Sequence, residues 1–296
     1  MHEADLSILG IRVRLEADDM ALLEAALAGF GAWPRIERAD DPGAVRIRLR
    51  SGSGGAGEEA PSVEVAGNRL VLAGPGVAGG ADAERREAWC SVAPELATDP
   101  ARLAAEVLDT LALFLLTRVG RVPVHAAGVL MGGTAVVLAG RSGSGKSTLA
   151  LTALRAGCRV LSDDTVYVQT EPRFRVWGFP RPIHVFPEQG EGGGVLRLRA
   201  GRWKVALSPG DEWPGEPVAE RAMLCLLERG ERVALRRIGA DEAVAAMTAS
   251  LESGFDHFRG ELPGAVGALA AGGAWRLTLS ADPAEALAAL RGVVGQ

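Results

Sequence analysis

Residues Gly140, Arg141, Ser142, Gly143, Ser144, Gly145, Lys146, Ser147 and Thr148 complete the spacing Gly-x-x-x-x-Gly-Lys-Ser/Thr. Glycines at that spacing let successive backbone N–H groups curl around an anion, and a helix starting there adds its positive end. Lys146 is expected to reach the β- and γ-phosphates of a nucleoside triphosphate, and the Ser147 hydroxyl to hold Mg²⁺. Two further groups have chemistry to offer. Asp163-Asp164 follows one helix and one strand later, where open α/β sheets place their ligands. One carboxylate there could ligate Mg²⁺ while the other accepts the proton of an attacking hydroxyl. A Ser-Asp-Asp sequence is also a common strand terminator, so spacing alone leaves a turn as the other reading. His125 precedes the loop in an apolar run, as a packed core residue or as a group that orients an aspartate.

These residues need a strand, a loop and a helix to position them, and the sequence supplies all three. Thr134–Ala139 is an apolar run leading into the loop, and Lys146–Arg155 carries a helical pattern ending at Gly157. Val122–Met131 reads as a strand that turns back into Thr134–Ala139 at Gly132-Gly133. A hairpin feeding the loop departs from the ordinary doubly wound layout and implies a mixed sheet. Short strands are expected at Cys158–Leu161, Thr165–Gln169, Phe174–Trp177, Ile183–Phe186, Val195–Arg199, Val205–Leu207, Ala222–Leu227 and Val233–Arg237. A loop is expected at Ser208–Pro217, with closing helices at Ala240–Leu251 and Pro283–Arg291.

The first 120 residues read differently, as a small α+β unit, and a boundary near residue 120 leaves 121–296 as the loop-bearing domain. Ser7–Arg14 alternates like a strand, Asp18–Leu27 has helical spacing, and Ala44–Arg50 alternates again. The three arginines of that last strand read as its solvated face. A hairpin is expected from Ser62–Ala66 and Arg69–Ala73, with flexible surface loops at Ser51–Gly57 and Gly74–Gly80. The helix Pro100–Arg118 carries an apolar stripe of Leu103, Val107, Leu111 and Leu115. This unit could recognise a leader peptide, mediate homo-oligomerisation or brace the second domain.

Composition narrows the partners. The chain has 296 residues, 48% hydrophobic and 23% charged, and a net charge of −5. That balance argues against nucleic acid, whose partners carry a basic surplus. Its most apolar helical stretch, Leu111–Leu116, is too short to span a bilayer. The polar, acidic start lacks a signal-peptide pattern, and three scattered cysteines form no C-x-x-C pair. A reducing cytoplasm is the expected compartment.

Val124-His-Ala-Ala-Gly-Val129, the loop 140–148 and Arg159-Val-Leu-Ser-Asp-Asp164 together resemble the catalytic domain of the HPr kinase/phosphorylase family. That domain is related in fold to phosphoenolpyruvate carboxykinases. The resemblance implies an α/β fold with a mixed sheet and an ATP- and Mg²⁺-dependent kinase acting on a serine-type hydroxyl. It implies Asp163 as general base with His125 as its partner, Lys146 and the loop amides on the phosphates, and Ser147 and Asp164 near the metal. Two departures stand out. Regulatory HPr kinases carry an acid where this chain has Thr148, and a glutamate with an Arg-Gly-Leu-Gly-like signature that is missing here. The nearest segment is Gly178–His184, in which Arg181 could contact phosphate or simply end a strand. The chain therefore looks like the divergent HPr-kinase-like proteins, some of which act on precursor peptides such as those of lasso peptides. A peptide or small protein is the expected substrate. A small-molecule kinase of the same fold and a non-catalytic ATP-binding regulator are the alternatives.

Overall fold

Strands whose apolar residues alternate with charged ones stand between a core and solvent, and Val45–Ser51 in the first part of the chain is built this way. The computed structural model describes residues 1–31, 33–53, 55, 57, 59–179, 181, 183–185, 195–199, 202–207, 216–251, 255 and 258–294. They divide into two compact units, Met1–Val119 and Gly120–Gln296.

The first unit runs β1 (His2–Ile8), β2 (Ile11–Ala17), α1 (Met20–Phe30), β3 (Arg35–Ile36), β4 (Val45–Ser51), β5 (Ser62–Ala66), β6 (Arg69–Gly74), β7 (Val77–Asp82) and β8 (Glu87–Val92). The short helices α2 (Pro94–Ala97) and α3 (Pro100–Leu103) follow, then a π-helical turn at Ala104–Leu108 and α4 (Asp109–Thr117). Its eight described strands form one sheet in the order β3-β1-β2-β4-β8-β7-β6-β5. Ser7–Arg14 is not one strand. The chain reverses at Leu9 and Gly10, both with positive φ, and β1 pairs back on β2. Gly74–Gly80 is not a loop either, because most of it belongs to β7, which joins β6 to β8. Asp19 caps α1 by accepting from the Ala21 N–H at 3.0 Å. Leu103, Val107, Leu111 and Leu115 are all buried, as a core-facing stripe requires. On β1 the buried Asp5 carboxylate accepts hydrogen bonds from Arg12 (2.7 Å) and Arg14 (2.9 and 3.1 Å).

The second unit is a mixed α/β layer structure. It runs β9 (Val122–Met131), β10 (Thr134–Ala139), α5 (Lys146–Arg155), β11 (Arg159–Ser162), β12 (Thr165–Gln169), β13 (Arg175–Trp177), β14 (Ile183–Val185), β15 (Val195–Arg199) and β16 (Arg202–Leu207). Then come β17 (Val218–Ala219), β18 (Ala222–Arg229), β19 (Ala234–Ile238), α6 (Ala240–Ala249), α7 (Leu262–Ala271), β20 (Ala274–Leu279) and α8 (Pro283–Arg291). The main sheet has the order β17-β13-β12-β9-β10-β18-β20-β19, with β11 also paired to β9. Strands β10, β18 and β20 are mutually parallel, whereas β9 and β19 run against them. A separate small sheet holds β14, β16 and β15. Most of the expected loop at Ser208–Pro217, namely 208–215, lies outside the described residues.

Helices cover both faces of the main sheet, so its central strands are apolar on every residue rather than alternately. All six residues of β10 are buried. Ala135, Val137 and Ala139 join the core beneath α6 and α7, and Val136 and Leu138 the core beneath α5 and α8. Helix α7 and strand β20 were not expected from the sequence, yet β20 is a central parallel strand. Among the described residues, no helix is long and apolar enough to cross a membrane. All three cysteines are free, with Cys90 and Cys225 buried. Burial pushes the Cys90 thiol up to about 12, which keeps it protonated and inert.

Candidate functional site

The glycine-rich loop begins where β10 leaves the sheet, so its position is fixed by strands on both sides. Gly145 has φ of 108°, and a Cβ there would lie 2.8 Å from Leu279 Cδ1. That left-handed conformation favours glycine at this point. The loop closes on itself through the Ser144 N–H, which donates to the Arg141 carbonyl at 3.0 Å. Helix α5 starts at once, with the Leu149 N–H donating to the Gly145 carbonyl at 2.9 Å. Its N-cap is Gly145, which brings no side-chain acceptor to the first turn. The first N–H groups of such a helix face outward as donors. Lys146 is 7% exposed, and its Nζ donates to the Gly140 carbonyl at 2.7 Å. Ser144 Oγ is buried with no hydrogen-bond partner among the described residues. Buried hydroxyls are usually satisfied, and this one in the glycine-rich loop is not.

His125 reaches the same edge because β9 pairs with β10 in antiparallel register. Ala126 lies opposite Ala139, which brings His125 level with the start of the loop. On its other side β9 pairs with β12, and His125 lies opposite Thr165. The chain returns along β11, which is separated from β10 by β9 rather than lying beside it. Past β11 it turns through Asp163 and Asp164. The Ser162 Oγ organises that turn, accepting from the Thr165 N–H at 3.2 Å. Asp164 Oδ1 lies 3.6 Å from His125 Nδ1, an ion pair when the imidazole is protonated. The Asp164 side chain is 71% exposed and that of His125 19%. The half-buried Asp163 adjoins them. Phe255 packs on the imidazole with its ring centroid 5.3 Å away.

A cavity of about 290 Å³ opens beside these groups. Gly140, Arg141 and His125 form one wall, and Leu226, Met247 and Leu262 give it an apolar lining. Glu228 and Arg276 add charge. Arg276 donates to Glu228 at 3.3 Å and to Glu242 at 2.9 Å, and Thr278 Oγ1 donates to Glu228 at 2.9 Å. Hydrogen bonds from Arg236 and then Arg276 hold the Glu242 carboxyl below the usual carboxylate range. A second hollow of about 640 Å³ is lined by Arg141, Ser142 and Ala249 to Leu251.

Loop, His125 and Asp164 thus come together at one sheet edge. The Arg181 guanidinium lies 4.8 Å over the Phe179 ring. Its neighbours Pro180 and Pro182 lie outside the described residues. Sequence reading passed over Glu228, Arg276 and Phe255. Glu228 had a signal, since a charge closing a wholly apolar strand marks the edge where parallel strands end. Arg276 and Phe255 had none, because only the fold brings them to the cavity.

Among the described residues, no group of three or more His, Cys, Asp or Glu could hold a metal ion. Mg²⁺ does not require one, since it is held by one or two protein oxygens together with phosphate and water. Ser147 and Asp164 offer oxygens of that type.

No family model and no curated protein matches this sequence. Among solved structures, the HPr(Ser) kinase/phosphatase from Coxiella burnetii is distantly similar, at 10% identity and a TM-score of 0.28. The similarity covers 57% of this chain and 93% of that one.

Proposed function

We propose that this protein is an ATP- and Mg²⁺-dependent kinase that transfers the γ-phosphate to a serine-type hydroxyl of a peptide or small protein. Its second unit would be a P-loop domain of the HPr-kinase and phosphoenolpyruvate-carboxykinase kind. One juxtaposition carries the reading: His125 lines the same cavity as Gly140 and Arg141 and lies 3.6 Å from Asp164. A phosphate loop alone would serve many functions, whereas a histidine and two carboxylates beside it suit acid–base work on an acceptor hydroxyl.

The residues divide the task. Loop amides between Arg141 and Ser147 other than that of Ser144, the Ser144 hydroxyl and Lys146 bind phosphate oxygens, with Lys146 exchanging the Gly140 carbonyl for them. Ser147 and Asp164 would hold the metal ion, which when bound neutralises phosphate charge. Asp163 takes the acceptor hydroxyl's proton as that oxygen bonds to the γ-phosphorus and the bond to the bridging oxygen breaks, releasing ADP. His125 orients the carboxylate pair through Asp164. Most of the rate gain would come from positioning and charge neutralisation.

The cavity beside the loop favours one second reading, in which a small molecule supplies the hydroxyl. Mass spectrometry after incubation with ATP and Mg²⁺ separates the two, using serine peptides in one arm and small alcohols in the other. Phosphopeptide formation supports the first reading. Nucleotide binding with neither transfer nor hydrolysis would leave a non-catalytic regulator instead.

A further inference from the structure

The glycine-rich loop is flanked by an arginine that the assignment above leaves without a task. Strand β18 runs parallel to β10 with Ala139 opposite Leu226, so both strands leave the sheet at the same edge. Successive β18 side chains alternate between the two faces: Leu224 and Leu226 enter the core under α6 and α7, and Cys225 and Leu227 the core under α5 and α8. Period two therefore sends Glu228 and Arg229 to opposite faces of the sheet. Glu228 goes to the cavity, where Arg276 and Thr278 engage it. Arg229 goes to the α5 side, with its Nη2 3.3 Å from where a Cβ on Gly145 would stand. The exposed guanidinium makes no hydrogen bond or ion pair among the described residues.

An unpartnered arginine beside a helix N-terminus places like charge against like, since the first turn already carries about half a positive charge. An anion between them removes the conflict, and a guanidinium fork matches phosphate oxygens. We infer that Arg229 is a phosphate-binding residue that neutralises the terminal phosphate of the bound triphosphate. The inference rests on the kinase reading and adds to it the group that distinguishes ATP from ADP. The loop amides and Lys146 serve both nucleotides, whereas a residue committed to the terminal phosphate serves only one.

Equilibrium titration of the full chain with fluorescent ATP and ADP analogues tests this, for the wild type, Arg229→Gln, Arg229→Lys and Arg232→Gln. Arg232 is an exposed arginine in the turn after β18 and controls for general charge. Arg229→Gln should weaken ATP binding about tenfold or more, the usual scale of one charge-assisted bond, and leave ADP within about threefold. Arg229→Lys should recover part of the ATP affinity, and Arg232→Gln should match the wild type. If Arg229→Gln lowers both affinities equally, or neither, the assignment to the terminal phosphate is wrong. Failure of the wild type to bind either nucleotide would overturn the kinase reading and this inference with it. A wild type that prefers ATP, with the preference kept in Arg229→Gln, would overturn this inference alone.

Discussion

Lys146 is the residue whose replacement tests the proposed phosphate loop most directly, and Lys146→Met keeps the length of the stem while removing the charge. Lys146 is 7% exposed and its ammonium is bonded to the Gly140 carbonyl at 2.7 Å. A hydrogen bond to a charged group contributes about 1.5–3 kcal/mol, and burying the ammonium offsets part of it. The expected loss of stability is therefore below about 1.5 kcal/mol, which lowers the melting temperature by roughly 2–6 °C in a domain of this size. Nucleotide binding should suffer more. Losing one partner of a desolvated charge pair costs about 2–5 kcal/mol. The low end applies, because Lys146 must first give up its bond to Gly140. About 2 kcal/mol corresponds to roughly a 30-fold weaker ATP complex. Titration with a fluorescent ATP analogue reads the affinity, and thermal melting without nucleotide reads the fold. Lys146→Arg serves as a second variant that keeps the charge while changing its geometry. ATP affinity within about threefold of wild type in Lys146→Met, with the melt unchanged, would refute the phosphate role of this lysine.

The two aspartates should separate by what each loses. Asp163→Asn is expected to keep ATP affinity and lower transfer by about 10²–10⁴, whereas Asp164→Asn should raise the Mg²⁺ concentration needed for half-maximal turnover. Steady-state phosphate release across a Mg²⁺ series measures both, and normal turnover by Asp163→Asn removes it as the base. In the first unit, Asp5→Ala should destabilise by about 3–5 kcal/mol, because it leaves the buried Arg14 without its carboxylate. Burial alone would raise the Asp5 carboxyl, but hydrogen bonds from Arg14 and Arg12 outweigh it and the folded value lies below 3.8. A depressed carboxyl stabilises the fold above its unfolded value and loses that contribution as pH falls through the folded one. Melting followed by circular dichroism from pH 5 downward should show the wild type losing stability more steeply than Asp5→Ala below about pH 4. Parallel slopes would mean that this pair carries no linkage.

Legibility followed how local each signal was. The β9–β10 hairpin, the loop and α5 were readable because glycines at the turn and loop and unbroken apolar runs all fall within adjacent residues. Strand β7 was lost because Gly79 and Gly80 read as a loop. They are glycines for a tertiary reason: a Cβ on Gly79 would lie 2.3 Å from the Trp89 carbonyl, and one on Gly80 2.5 Å from the Leu70 carbonyl. Helix α7 was hidden by Pro263, Gly264 and Gly267, residues of low helix propensity that tertiary packing overrides. Strand β20 was hidden by Arg276 and Thr278, whose polarity breaks an apolar run. Both side chains contact Glu228 on the adjoining strand, so the break in pattern is itself part of the site.

That last case bears on how the site is built. A mixed sheet lets an antiparallel hairpin deliver His125 to one flank of the loop while parallel strands deliver Glu228 and Arg229 to the other. In an all-parallel sheet the strand next to β10 would need a crossover of its own, and a residue early in that strand would lie at the opposite edge. The reversal at Gly132-Gly133 is thus what brings an upstream histidine level with a downstream loop. Lengthening that turn should be tolerated as long as the β9–β10 register holds. A one-residue slip would turn His125 to the other face of the sheet, away from Asp164.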